Sequence, residues 1–89
     1  MKIMFTMQGN VCGNRVRLGR AMHNLPLTQQ ELAIKIQLEY GLEVTGNIIS
    51  RIEKGERHVI DEELRVIAKA LNVSMDWLVG DTDKPDRLV

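Results

Sequence analysis

Aromatic side chains are nearly missing from this chain, with one Trp, one Tyr and one Phe among 89 residues. That scarcity excludes a core built on stacked rings and fits a small helical core of Leu, Ile, Val and Ala. Cysteine occurs once, at Cys12, so no internal disulfide can form. No signal-peptide h-region and no apolar run near bilayer-spanning length occurs, and the chain is expected to be cytoplasmic and reduced, without membrane association. Catalytic patterns are missing too. His23 and His58 are far apart and fit neither an H-E-x-x-H helix nor a Cys/His zinc site, and neither a G-x-S-x-G elbow nor a phosphate-cradling glycine loop occurs. No enzyme activity, cofactor or metal is therefore expected. The length suits one domain with a single core, so that any function sits on its surface.

Net charge is lacking as well, with 12 basic residues against 12 acidic ones, which by itself argues against a polyanionic partner. The balance hides a gradient. Residues 1–23 carry Lys2, Arg15, Arg17 and Arg20 and no acid, whereas residues 59–89 hold four basic against seven acidic groups. Such asymmetry points to one end facing a polyanion.

What the chain does contain is a series of helix signals. "GNRVRLGRAMH" reads as a first helix over 13–23, weakened by Gly19. Thr28 with Glu31 three residues on forms a capping box that opens a second helix, with Gly41 as its stop. Thr45 caps a third helix, "GNIISRIEK", closed by Gly55; at 3.6 residues per turn Ile49 and Ile52 share one side, with Asn47, Ser50 and Arg51 opposite. Asp61 is expected to cap a fourth helix, whose Leu64, Ile67, Ala68 and Leu71 form an i, i+3, i+4, i+7 stripe. Asn72 ends it, and Ser74 caps a short fifth helix that folds Trp77 and Leu78 onto the core. No strand-like alternation or repeat intervenes. The expected fold is all-α, a five-helix bundle, with residues 1–12 a flexible tail, 13–80 the domain and 81–89 a second tail.

Two consecutive capped helices, 28–40 and 45–54, joined by a glycine-containing turn have the pattern of a helix-turn-helix. In that motif the second helix enters the major groove while the first sets its N-terminal amides over the phosphate backbone. It needs a small residue where the helices approach, assigned to Ala33, an apolar inner face, Ile49 and Ile52, and outward hydrogen-bonding side chains, Gln29, Asn47 and Arg51. Asn suits adenine and Arg suits guanine by bidentate geometry.

The segments "LTQQELA" (27–33), "ISRIEKGER" (49–57) and "ELRVIAKALNVSMDWL" (63–78), in this order, resemble the lambda-repressor/Cro-type helix-turn-helix family, also called the XRE family. The resemblance covers about residues 13–80. It implies a five-helix DNA-binding domain of a transcriptional regulator, acting as a homodimer on a palindromic double-stranded DNA operator. By position, Gln29 matches the family's phosphate-contacting glutamine, Gly46, Asn47 and Arg51 its base-reading positions, and Lys54 to Arg57 the loop that grips the backbone. Two departures stand out: the interval from Ala33 to Ile49 is about six residues longer than the family's usual spacing, and Gly46 offers no side chain at a reading position. Arg20 is the candidate for the family's buried arginine partner of Glu53.

The expected DNA-binding set is thus Gln29, Gln30, Thr45, Gly46, Asn47, Ile48, Arg51, Lys54 and Arg57. Each has a plainer reading. Thr45 caps a helix in any case; Ile48 either packs or meets a thymine methyl group; Lys54 and Arg57 alternate with Glu53 and Glu56, which could neutralise them. A sequence-specific repressor is the leading function. An antitoxin-like or other protein-binding module on the same fold is the alternative. A dimer seam is expected around Trp77, Leu78, Val79 and Leu88.

Overall fold

Thr28 sets the register of the molecule's central pair of helices. In a computed structural model, which describes residues 9–85, its Oγ1 accepts from the Glu31 backbone N–H at 3.0 Å, and its own N–H donates to Glu31 Oε1 at 2.8 Å. This closed capping box starts α2 (Gln29–Tyr40), which ends where Gly41 takes up a left-handed conformation, φ 68°. Thr45 caps α3 (Gly46–Glu53) by accepting from the Ile48 N–H. Before them lies α1 (Gly13–Met22), and after them α4 (Asp61–Leu71) and α5 (Met75–Leu78). All five are α-helices, with no strand among the described residues. The fold is therefore the expected all-helical, lambda-repressor-like bundle.

The start of α4 differs from the sequence reading. The cap of α4 is Ile60, and Asp61 is its first helical residue. Ile60 has no side-chain oxygen to offer, so only the return half of a capping box exists, its N–H donating to Glu63 Oε1 at 3.1 Å. The first turn nevertheless holds Asp61, Glu62 and Glu63, favourable at the positive end of the helix dipole. At the other end Asn72, with φ 60°, adopts the left-handed cap usually given to glycine.

The long interval between Ala33 and Ile49 is absorbed chiefly by helix. α2 has 12 residues, and residues 41–45 connect it to α3. Gln37 donates its side-chain amide to the Val44 carbonyl, and Val44 is buried, so the connection is tied down at both levels.

The core joins Val16 of α1, Leu32, Ala33 and Ile36 of α2, Ile49 and Ile52 of α3, Ile67, Ala68 and Leu71 of α4, and Trp77 and Leu78 of α5. Each fully buried aliphatic side chain contributes roughly 1.5–3 kcal/mol. Cys12 also lies in this core, and burial pushes its thiol up to about 11, which leaves it protonated and unreactive at neutral pH. Trp77 and Leu78 are 2% and 0% exposed, so they fill this chain's own interior and cannot form the dimer seam expected of them. Leu88 lies outside the described residues. Arg15 closes the same corner: its guanidinium lies 4.7 Å from the Trp77 ring centre and donates to the carbonyls of Trp77 and Thr82. It is a packing residue rather than a solvated charge.

Residues 9–12, assigned to a tail by sequence, are held in place. Asn10 Oδ1 accepts from the N–H groups of Cys12 and Gly13, while its Nδ2 donates to the carbonyls of Ile52 and Arg57. The side chain thus starts α1 and joins it to the end of α3. Gly13 permits this approach, since a Cβ there would stand 2.6 Å from the Ile52 carbonyl oxygen.

Candidate nucleic-acid interface

α3 divides cleanly. Ile49 and Ile52 are 0% and 1% exposed and anchor the helix to α2, while Asn47 and Arg51 are exposed on the other side. Among the described residues no side-chain hydrogen bond or ion pair holds Asn47, Arg51 or Lys54. Their donors and acceptors are available to a ligand. Ile48 is half-buried and packs against the core from its edge. Thr45, though exposed, already uses its oxygen as the helix cap.

The position of α3 relative to α2 is fixed by one carboxylate. Glu53 accepts from Arg20 Nε at 2.6 Å, from Arg20 Nη2 at 2.8 Å and from Gln29 Nε2 at 3.1 Å. Arg20 Nη1 donates in addition to the Leu27 carbonyl. One guanidinium therefore links the end of α1, the loop before α2 and the end of α3, and its pKa is raised, first by the hydrogen bonds to Glu53. The Arg20–Glu53 match is realised. Gln29, the expected phosphate contact, donates its side-chain amide to Glu53, while the backbone N–H groups of Gln29 and Gln30 have no partner among the described residues.

Gly46 is not simply blank. A Cβ added there would lie 2.5 Å from Gln30 Oε1 and 3.3 Å from Gln30 Cα. Gly46 is thus a small residue where the two helices start side by side, and Ala33, assigned to the helix approach, is fully buried in the core further along α2. Gln30 itself is exposed.

The loop after α3 contains Lys54, the exposed C-cap residue, and Gly55, whose φ of 75° turns the chain. Arg57 is engaged within the protein. Its Nη1 and Nη2 each donate to one oxygen of Glu63 at 2.9 Å, and Nη1 also to the His58 carbonyl. The paired guanidinium holds the Glu63 carboxyl below its ordinary value, and the carboxylate raises Arg57 in return. Arg57 retains partial exposure, 28% for its side chain, so any phosphate contact would use the donors that face away from Glu63. Sequence reasoning missed Asn10 and the Arg57–Glu63 pair. An asparagine placed just before a helix was the available signal for the first.

A family model described as Helix-turn-helix matches residues 26–78, more than half of the chain, spanning α2 to α5. The chain belongs to this helix-turn-helix family. The match supports a Cro/lambda-repressor-type, DNA-binding regulatory domain, a family that is not enzymatic. α1 precedes the matched interval and is joined to the helix-turn-helix through Arg20 and Asn10. Among curated proteins, none matches this chain. The described residues contain no group of His, Cys, Asp and Glu placed to hold a metal ion, and no helix long and apolar enough to cross a membrane.

Proposed function

We propose that this helix-turn-helix protein is a sequence-specific transcriptional repressor that inserts α3 into the major groove of operator DNA. One observation carries the reading: Asn47 and Arg51 project from a helix whose opposite face is wholly buried, with no partner of their own among the described residues, next to the N-terminus of α2. Asn47 and Arg51 read bases, as their bidentate geometry suits. The amides at the start of α2, together with Thr45, Lys54 and the free donors of Arg57, meet phosphates and set the register. Ile48, at the edge of the apolar stripe, meets a thymine methyl group. Repression requires only that the operator be occupied. The protein acts as a homodimer on an inverted repeat, because one recognition helix reads too few base pairs to single out a site.

Selection of bound sequences from random duplex DNA, followed by salt titration of the selected site, tests this. A defined motif should emerge, and its affinity should fall steeply as salt rises, because phosphate contacts release counterions. Failure to retain any DNA at low salt, or an affinity indifferent to salt, rules it out.

A further inference from the structure

Gly46 has a helical backbone and is absent from the positive-φ glycines, which are Gly41, Gly55 and Gly80. Nothing in its conformation requires glycine. Space does. The volume that a side chain at position 46 would enter is occupied by the carboxamide of Gln30, whose Oε1 stands 2.5 Å from the position of the missing Cβ.

The neighbours of Gln30 are committed to the protein. Gln29 donates to Glu53, and Thr28 and Glu31 close their capping box. Gln30 alone in this first turn is both exposed and without a hydrogen-bond partner among the described residues. Its carboxamide overhangs the start of α3, one residue before the exposed Asn47. We infer that Gln30 is a specificity-determining residue, which reads from α2 the base pair that a side chain at position 46 would otherwise read from α3. A glutamine carboxamide forms two hydrogen bonds with the N6 and N7 edge of adenine, so the base concerned is an adenine. This inference rests on the proposed placement of α3 in the major groove.

The test compares sequences selected from random DNA by the wild-type protein, Gln30→Ala, Gly46→Ala and the double variant, with thermal unfolding of each. Wild type should select an adenine next to the positions that Arg51→Ala and Asn47→Ala relax. Gln30→Ala should lose about tenfold or more of the discrimination at that adenine alone, with an unchanged unfolding temperature, since the side chain is exposed. Gly46→Ala should relax the same position because its methyl group displaces the carboxamide, and the double variant should match Gln30→Ala. If Gln30→Ala weakens all sequences equally, its contact is to phosphate and the inference is wrong. Unaltered selection by Gln30→Ala also overturns it while leaving the proposed function intact. Absence of any selected motif with the wild-type protein overturns both.

Discussion

Arg20 and Glu53, 33 residues apart in sequence, are joined by two parallel hydrogen bonds of 2.6 and 2.8 Å, with side chains only 16% and 5% exposed. The forked geometry is the strong form of an ion pair, and at this depth removal of one partner strands the other. Arg20→Ala should therefore destabilise the fold by about 2–4 kcal/mol, slightly below the range for fully buried pairs because Gln29 still donates to Glu53. Urea denaturation measures it. The double variant Arg20→Ala/Glu53→Ala should cost far less in total than the sum of the single losses, and strict additivity would show that the pair does not act as a unit.

The second ion pair gives a pH dependence. Glu63 is held below its ordinary value of 4.5 by hydrogen bonds from Arg57, so its folded-state pKa lies under its unfolded one. The stability it contributes is fully present above about pH 4.5 and is lost as pH falls through the lower, folded value. The stability difference between wild type and Glu63→Gln, from denaturation between neutral pH and pH 3, should be constant at first and shrink below about pH 4.5. A difference that grows on acidification contradicts the assignment.

Much of this was legible in the sequence because it is local. Thr28 with Glu31, Thr45 and Ser74 announce their helices within three residues, and each cap is made by the expected atom. Ile49 and Ile52 fall inside, and Asn47 and Arg51 outside, because helical periodicity alone decides it. The α4 cap was misplaced by one residue, since aspartate is a strong capping type and isoleucine is not, yet the Ile60 N–H is satisfied by Glu63. Contacts across the chain were not legible. Nothing within ten residues of Asn10 indicates that its amide meets Ile52 and Arg57, and Gly46 looks like a gap until Gln30 is placed over it.

Gly41 separates backbone strain from packing. Its φ is 68°, and a Cβ there would meet nothing within 4 Å. Gly41→Ala should thus destabilise the protein through left-handed backbone strain alone, by about 1 kcal/mol, with DNA-binding preferences unchanged. Gly41→Asn should recover part of the loss, because asparagine tolerates this conformation, as Asn72 with φ 60° already does at the end of α4. Equal losses in both variants would point to a cause other than strain.

Base reader and phosphate gripper should separate by sequence preference and by salt. On the proposed reading Arg51→Ala would remove a bidentate base contact, and it should weaken the selected site by about 1–3 kcal/mol while relaxing one base position. Lys54→Ala should weaken all sequences alike and reduce the steepness of the salt dependence by about one unit of slope. Both are exposed, so neither should alter unfolding. Identical behaviour of the two variants would show that their roles are wrongly divided.

Assembly follows from how few bases α3 can reach. Eight residues long, with its first position glycine, it offers Asn47 and Arg51 as its free polar readers. Two copies related by a two-fold axis would set their recognition helices about 34 Å apart, one turn of the duplex. The domain measures 45 × 27 × 22 Å, so two can stand side by side at that spacing without overlap when their long axes lie across the duplex axis. Trp77 and Leu78 are buried inside each chain and unavailable to a seam, and on the proposed reading pairing is completed when DNA aligns the two copies. Sedimentation of the protein alone should therefore give chiefly monomer at micromolar concentration, and addition of a selected duplex should give two chains per site. The selected sequences should contain an inverted repeat whose half-sites are centred one helical turn apart. One chain per site, on a sequence without that symmetry, would refute the dimer.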